Sequence, residues 1–276
     1  MSTTGPVVYG DNGRHGAALD FALAEAASRG TALRVVHCVT LPTEESELFL
    51  SEIVYREMMS RGQTILDGTQ ALVDRADPPV AAEYVLTSGA PADVLVEQSR
   101  SAQLIVTGID DIPWYDRLLG GAVAGHLARH SHCPLITVPD VGPDRGRHEG
   151  VVVAIDGNSG ARPLLALAFE LADRWGCTLH AIRAVSVGAV PSYVEGARAT
   201  VGEVLAGWQE TYPDVSVEHE VVIGEPSEAF VHATRRAELV VVGRSGRHGL
   251  HRPTAASVVQ HASCPVAVVP LDEPRT

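Results

Sequence analysis

The sequence predicts an α/β protein made of two tandem copies of one domain, and three observations carry that expectation. Short apolar runs alternate with longer amphipathic stretches throughout, the pattern of β-α-β units around a mostly parallel sheet. The segment SGAPADVLVEQSRSAQLIVTG, ending at Gly108, is echoed by IGEPSEAFVHATRRAELVVVG, so that Gly89, Pro91 and Gly108 return as Gly224, Pro226 and Gly243, 135 positions later. HSHCPLITVP, from His130 to Pro139, returns as HASCPVAVVP, from His261 to Pro270, 131 positions later. The second copy therefore has four residues fewer between these blocks. A repeat near 130 residues is a duplicated globular domain, not a solenoid unit of roughly 20 to 50.

Taken in chain order, the first half predicts strands near 6–10, 32–39, 80–87, 103–108 and 134–138. Helices fill the intervals near 16–29, 46–76, 91–100 and 122–131. In the second half the strands fall near 150–155, 178–185, 215–223, 238–243 and 265–269. LIVTG and LVVVG are continuous apolar runs, as expected of central strands covered on both faces, and each runs into a glycine where a loop begins. The polar, Gly- and Pro-rich stretch between Pro139 and Val151 reads as a linker. The expected organisation is a domain at 1–140, a linker at 141–149 and a domain at 150–276.

Composition narrows the function classes. With 276 residues, 45% apolar and 20% charged, the chain can bury a core in each half. A net charge of −13 and no lysine-arginine stripe oppose binding to nucleic acid or an anionic membrane. All 21 basic residues are arginine, which excludes P-loop lysines and Schiff-base chemistry. No apolar run is long enough to span a bilayer and the N-terminal segment has no signal-peptide pattern, so a cytoplasmic location is expected. Cys38, Cys133, Cys177 and Cys264 form no CxxC pair and read as reduced, buried small apolar groups.

Open α/β sheets bind ligands beyond the carboxyl ends of their strands, where the strand order reverses. Asp11 and Asp156 follow the first strand of each half. A carboxylate there either accepts from a ligand's amino or hydroxyl groups or stabilises its own turn, in DNG and DGN respectively, and the sequence leaves both readings open. After the fourth strand, the glycines between Gly108 and Gly121 lead into a helix, an arrangement that lets backbone N–H groups approach phosphate. In the second half this loop is basic, with Arg244, Arg247 and Arg252 beside His248 and His251, which suits either an anion or solvent. His126 and His130, with His132 and Cys133 behind them, have a superficial zinc-ligand spacing. The repeat turns His126 into Ser257 and His132 into Ser263, so no metal site is expected, and His130 and His261 read as helix C-terminal residues facing the dipole.

With the GxP turn, the apolar strand ending in glycine and the HxxCP block in order in both halves, the whole chain resembles a tandem universal stress protein. The ATP-binding branch of that family carries a glycine, two residues, a glycine, nine residues, then a glycine followed by Ser or Thr. Gly108 and Gly121 match the first and third glycines, while Asp111 stands at the second and Ala122 at the hydroxyl position. In the second half Gly243 and Gly246 supply the first pair, and Arg252 and Pro253 stand where Gly and Ser belong. The resemblance implies a five-stranded parallel sheet per domain in the order 3-2-1-4-5, with helices on both faces. It also implies adenine-nucleotide contacts at Asp11, Cys38, Gly108, Gly121 and Val123 in the first half, and at Asp156, Ala184, Gly243 and Gly246 in the second. The ligand implied is ATP. Asp110 and Asp111 would repel a bare triphosphate but become attractive if they hold Mg²⁺ between carboxylate and phosphate oxygens. The implied role is a stress-response regulator with unidentified protein partners, its domains paired through their last strands as a pseudo-dimer, and a homodimer of the whole chain stays open. A nucleotide-free interaction scaffold of the same fold is the alternative, with slow ATP hydrolysis behind it.

Overall fold

The computed structural model describes residues 5–40, 52–109, 122–140, 150–155, 162–244 and 254–271. The chain divides into two compact units, Met1–Asp140 and Val141–Thr276. The first contains β1 (Val7–Asp11), α1 (Ala17–Arg29), β2 (Leu33–Val39), α2 (Glu52–Val73), β3 (Ala82–Ser88), α3 (Pro91–Gln98), β4 (Leu104–Ile109), α4 (Ala122–His130) and β5 (Leu135–Pro139). The second contains β6 (Val151–Ala154), α5 (Arg162–Trp175), β7 (Leu179–Val185), α6 (Pro191–Gln209), β8 (Val217–Ile223), α7 (Pro226–Ala233), β9 (Leu239–Arg244), α8 (Thr254–His261) and β10 (Val266–Pro270).

All strands within a unit pair in parallel. The first unit runs β3-β2-β1-β4-β5. The second runs β8-β7-β6-β9-β10, the same order. In the first unit α1 packs on β1, β4 and β5 and α2 on β2 and β3, while α3 packs on β2 and against α4. Right-handed crossovers in this order send α1 and α2 to one face and α3 and α4 to the other. The second unit repeats the arrangement, with α5 on β6, β9 and β10, α6 on β7 and β8, and α7 against α8. Leu104, Ile105 and Val106 are fully buried, as are Leu239, Val240 and Val241, because helices cover these central strands on both sides. The edge strands β3 and β8 carry only half-buried and exposed residues.

The repeated residues do repeated work. Gly30 closes α1 in the left-handed conformation at φ 61°, its N–H bonding back into the last turn, and Gly176 repeats this after α5 at φ 62°. Pro91 and Pro226 open α3 and α7 at the first helical turn, where the missing N–H has no partner to lose. The glycine before each proline ties neighbouring strands together. Gly89 N–H donates to Val39 O at 3.1 Å and Gly224 N–H to Val185 O at 2.8 Å. At the other end of α3, the buried Ser99 hydroxyl donates to Val96 O and accepts from His132 N–H at 2.8 Å. Thr234 does the same after α7, donating to Val231 O and accepting from Ser263 N–H at 3.1 Å. This clamp holds the turn before β5 and β10 in each unit, inside the shared HxxCP block.

The helix expected over 46–76 is observed from Glu52 to Val73, with 46–51 outside the described residues. It ends early because Arg75 and Ala76 N–H groups bond to Leu72 and Val73 O, tightening the last turn ahead of Pro78 and Pro79. Among the described residues no helix is long and apolar enough to cross a membrane.

Candidate functional site

In each unit the strand order reverses at the central pair, β1 with β4 and β6 with β9. The chain leaves these neighbours in opposite directions, which opens a crevice beyond their carboxyl ends. The residues at those ends set the chemistry.

Asp11 is the last residue of β1 and is buried. Its Oδ1 accepts from Gly13 N–H at 2.8 Å, and its Oδ2 accepts from the Thr69 hydroxyl at 2.5 Å. Of the two readings open for this carboxylate, the structure shows the turn-stabilising one, with α2 supplying a second donor. Thr69 is itself fully buried and lies 3.3 Å from His15 Nδ1. His37, buried on β2, donates from Nδ1 to Asp11 O at 2.8 Å, since a carbonyl can only accept. The helix reaches this position because Gly62 has no side chain: a Cβ there would come within 2.7 Å of Val39 Cγ2. Sequence reasoning missed Thr69, His37 and Gly62. The available signal was the buried stripe Gly62, Leu66, Thr69 and Val73, in which a polar residue occupies a core position of α2.

Cys38 is half-buried on β2, and burial pushes its thiol up to about 11. Ala184 lies on β7 opposite Val222 of β8. Gly108 on β4 pairs with Val138, and a Cβ there would find nothing closer than Ala18 Cβ at 3.7 Å. Gly243 on β9 pairs with Val269, but a Cβ there would meet Leu271 Cδ1 at 2.7 Å. Val123 sits half-buried in the first turn of α4. Gly121, Asp156 and Gly246 lie outside the described residues, as do the Mg²⁺ candidates Asp110 and Asp111 and the basic residues Arg247, His248, His251 and Arg252.

Two polar atoms at these strand ends stand out. Thr107, just before Gly108, buries a hydroxyl that has no hydrogen-bond partner. Arg244, just after Gly243, buries its Nη1 without a partner, and burial lowers the guanidinium pKa. Ile109 occupies the matching register in the first unit, opposite Pro139 as Arg244 is opposite Pro270.

The rings of His126 and His130 meet at a tilt of 39° with centroids 4.4 Å apart, and His126 Nε2 lies 3.5 Å from Asp93 Oδ1. His130 and His261 end their helices, and His261 Nδ1 donates to Ser257 O at 2.9 Å. Among the described residues no group of three or more His, Cys, Asp or Glu side chains is placed to hold a metal ion. All four cysteines are free. Cys133 and Cys264 are buried, and that burial pushes both thiols up to about 12, which suits packing and not nucleophilic chemistry. Cys38 and Cys177 are only half-buried.

The chain matches the universal stress protein family model twice, over residues 7–139 and 149–270. It is 34% identical to universal stress protein Rv2623 of Mycobacterium tuberculosis, over 91% of each chain. It is 35% identical to universal stress protein Rv2005c of the same organism, over 68% of each. Among solved structures, a universal stress protein from Archaeoglobus fulgidus superposes with a TM-score of 0.76 at 16% identity, covering 98% of both chains. That structure supports the fold, and the two family matches and the 34% identity settle the kinship. The chain belongs to the universal stress protein family and carries two copies of its domain.

Proposed function

We propose that this protein is a cytoplasmic stress-response regulator whose state is set by adenine nucleotide, ATP foremost, bound at the carboxyl ends of the central strands. The observation that carries this reading is the reversal of strand order at β1/β4 and β6/β9, with Gly108 and Gly243 at the ends of β4 and β9. The second unit is the better candidate to be occupied. Its adenosine end would be lined by Ala184 and Asp156, and its phosphate end by the segment from Gly243 to Gly246. Bound phosphate would order the loop after β9, and a protein partner would read that order. The role proposed is binding without turnover; Mg²⁺ would accompany ATP as its counter-ion, at Asp110 and Asp111 if the first unit is also filled.

A second reading, a nucleotide-free interaction scaffold, is favoured by one observation. The Asp11 carboxylate of the first unit is already engaged by Gly13 and Thr69. Native mass spectrometry of the full chain, titrated with ATP and Mg²⁺, separates the readings. One or two saturable adenylate masses per chain are expected. A chain that stays empty at millimolar ATP leaves the scaffold, and phosphate release during the titration would make the protein an enzyme instead.

A further inference from the structure

Arg244 poses a problem that the fold does not solve. A guanidinium carries five N–H donors, cannot shed its charge at ordinary pH and is disfavoured where water is excluded unless an anion or acceptors face it. Here Nη1 is buried and has no hydrogen-bond partner. Among the described residues no carboxylate lies within ion-pair distance of the side chain, and burial alone perturbs its titration. Buried donors left over in a native fold call for a missing partner. The matching place in the first unit holds Ile109, so β-sheet architecture does not require a charged group there.

The position of Arg244 indicates what that partner is. The residue ends β9, one step past Gly243, on the crevice side of the strand-order reversal. Alternation along the strand sends its side chain to the face opposite the one Gly243 presents. Planar, forked donors at such a place fit the oxygens of a phosphate group, with a charge attraction that uncharged backbone amides lack. We infer that Arg244 is a phosphate-binding side chain of the second unit, which selects polyphosphorylated ligands over a neutral nucleoside and makes the two units unequal. This rests on the nucleotide reading for its ligand, but the anion site stands without it.

The test uses the full-length protein, its Arg244→Gln variant and three probes: ATP, inorganic tripolyphosphate and adenosine, each followed by calorimetric titration. Loss of a charged hydrogen-bond donor should weaken ATP and tripolyphosphate by about 10- to 100-fold and leave adenosine unchanged. ATP affinity equal in both proteins overturns the inference and leaves the nucleotide reading intact. Tripolyphosphate binding that depends on Arg244, with no ATP binding, keeps the anion site and removes the nucleotide reading. Neither probe binding the unaltered protein overturns both. Arg244→Leu supplies the control for a merely structural role: a ligand-binding arginine leaves the melting temperature of the ligand-free protein unchanged or raised. If both variants lose their fold, Arg244 holds the structure together and the inference fails.

Discussion

The two units place different chemistry at the two strands that flank each order reversal, β1 and β4 in the first and β6 and β9 in the second. In the first, the polar group that ends β1 is consumed internally: Asp11 accepts from Gly13 and from Thr69 of α2. In the second, the group that ends β9 is left over: Arg244 keeps a buried N–H face without a partner. The covering helices differ to match. α2 buries Gly62, Leu66, Thr69 and Val73, whereas α6 buries Ala197, Val201 and Leu205, all of them apolar. The residues common to both copies, Gly30 and Gly176, Pro91 and Pro226, Ser99 and Thr234, Cys133 and Cys264, all serve the frame. Both copies thus keep the parts that build the sheet and the strand-end Gly108 and Gly243, while the residue after that glycine differs, Ile109 in one and Arg244 in the other.

The largest effect expected is alkaline destabilisation, and it should be nearly shared. Burial pushes the Cys133 and Cys264 thiols up to about 12 from an ordinary 9.0. The native state therefore holds these protons where the unfolded chain has released them. Their contribution to stability is fully present below pH 9 and is lost as pH rises towards about 12, at up to about 1.4 kcal/mol per pH unit for each thiol. Cys38, raised to about 11, adds to the first unit, whose counterpart strand in the second carries Ala184, and the Cys177 thiol, also raised by burial, adds to the second. Urea midpoints at pH 8 and pH 10.5 should fall for both units, and Cys38→Ala should lessen the loss in the first unit alone. A midpoint that does not move with pH would show that these thiols are not shielded.

Thr69→Val comes next and should break the symmetry. It leaves the Asp11 carboxylate buried with one donor fewer, at a cost of about 2 to 3 kcal/mol confined to the first unit. Urea unfolding followed by hydrogen exchange of each unit reads this directly, and an equal loss in the second unit would contradict the assignment. The smallest effect is the shared clamp. Ser99→Ala and Thr234→Val should each cost about 1 kcal/mol, in their own units and by similar amounts. A marked inequality would mean that one clamp does more than hold its turn.

Much of this fold was legible in the sequence. All ten strands lie within two residues of where the apolar runs place them, because a strand covered on both faces must be apolar throughout and the glycine after it marks its end. The C-terminal glycines of α1 and α5 and the prolines of α3 and α7 were equally plain as chain signals. The candidate site was less so. The Asp11–Thr69 contact spans 58 positions and depends on one hydroxyl in a helix whose pattern reads simply as amphipathic. Ser99 and Thr234 gave no signal as acceptors, since their partners lie beyond the next helix. Arg244 read as one member of a basic loop. That its Nη1 is buried follows from its being the last residue of a central strand, a matter of register that charge counting cannot reveal.

The central proposal is that the second unit carries a nucleotide-responsive crevice. Hydrogen exchange of the full chain with and without saturating ATP and Mg²⁺, read by peptide, tests it most directly. Slowed exchange is expected in peptides covering 239–261, larger than any change in those covering 104–130. Protection confined to 104–130, or absent from both, would contradict it.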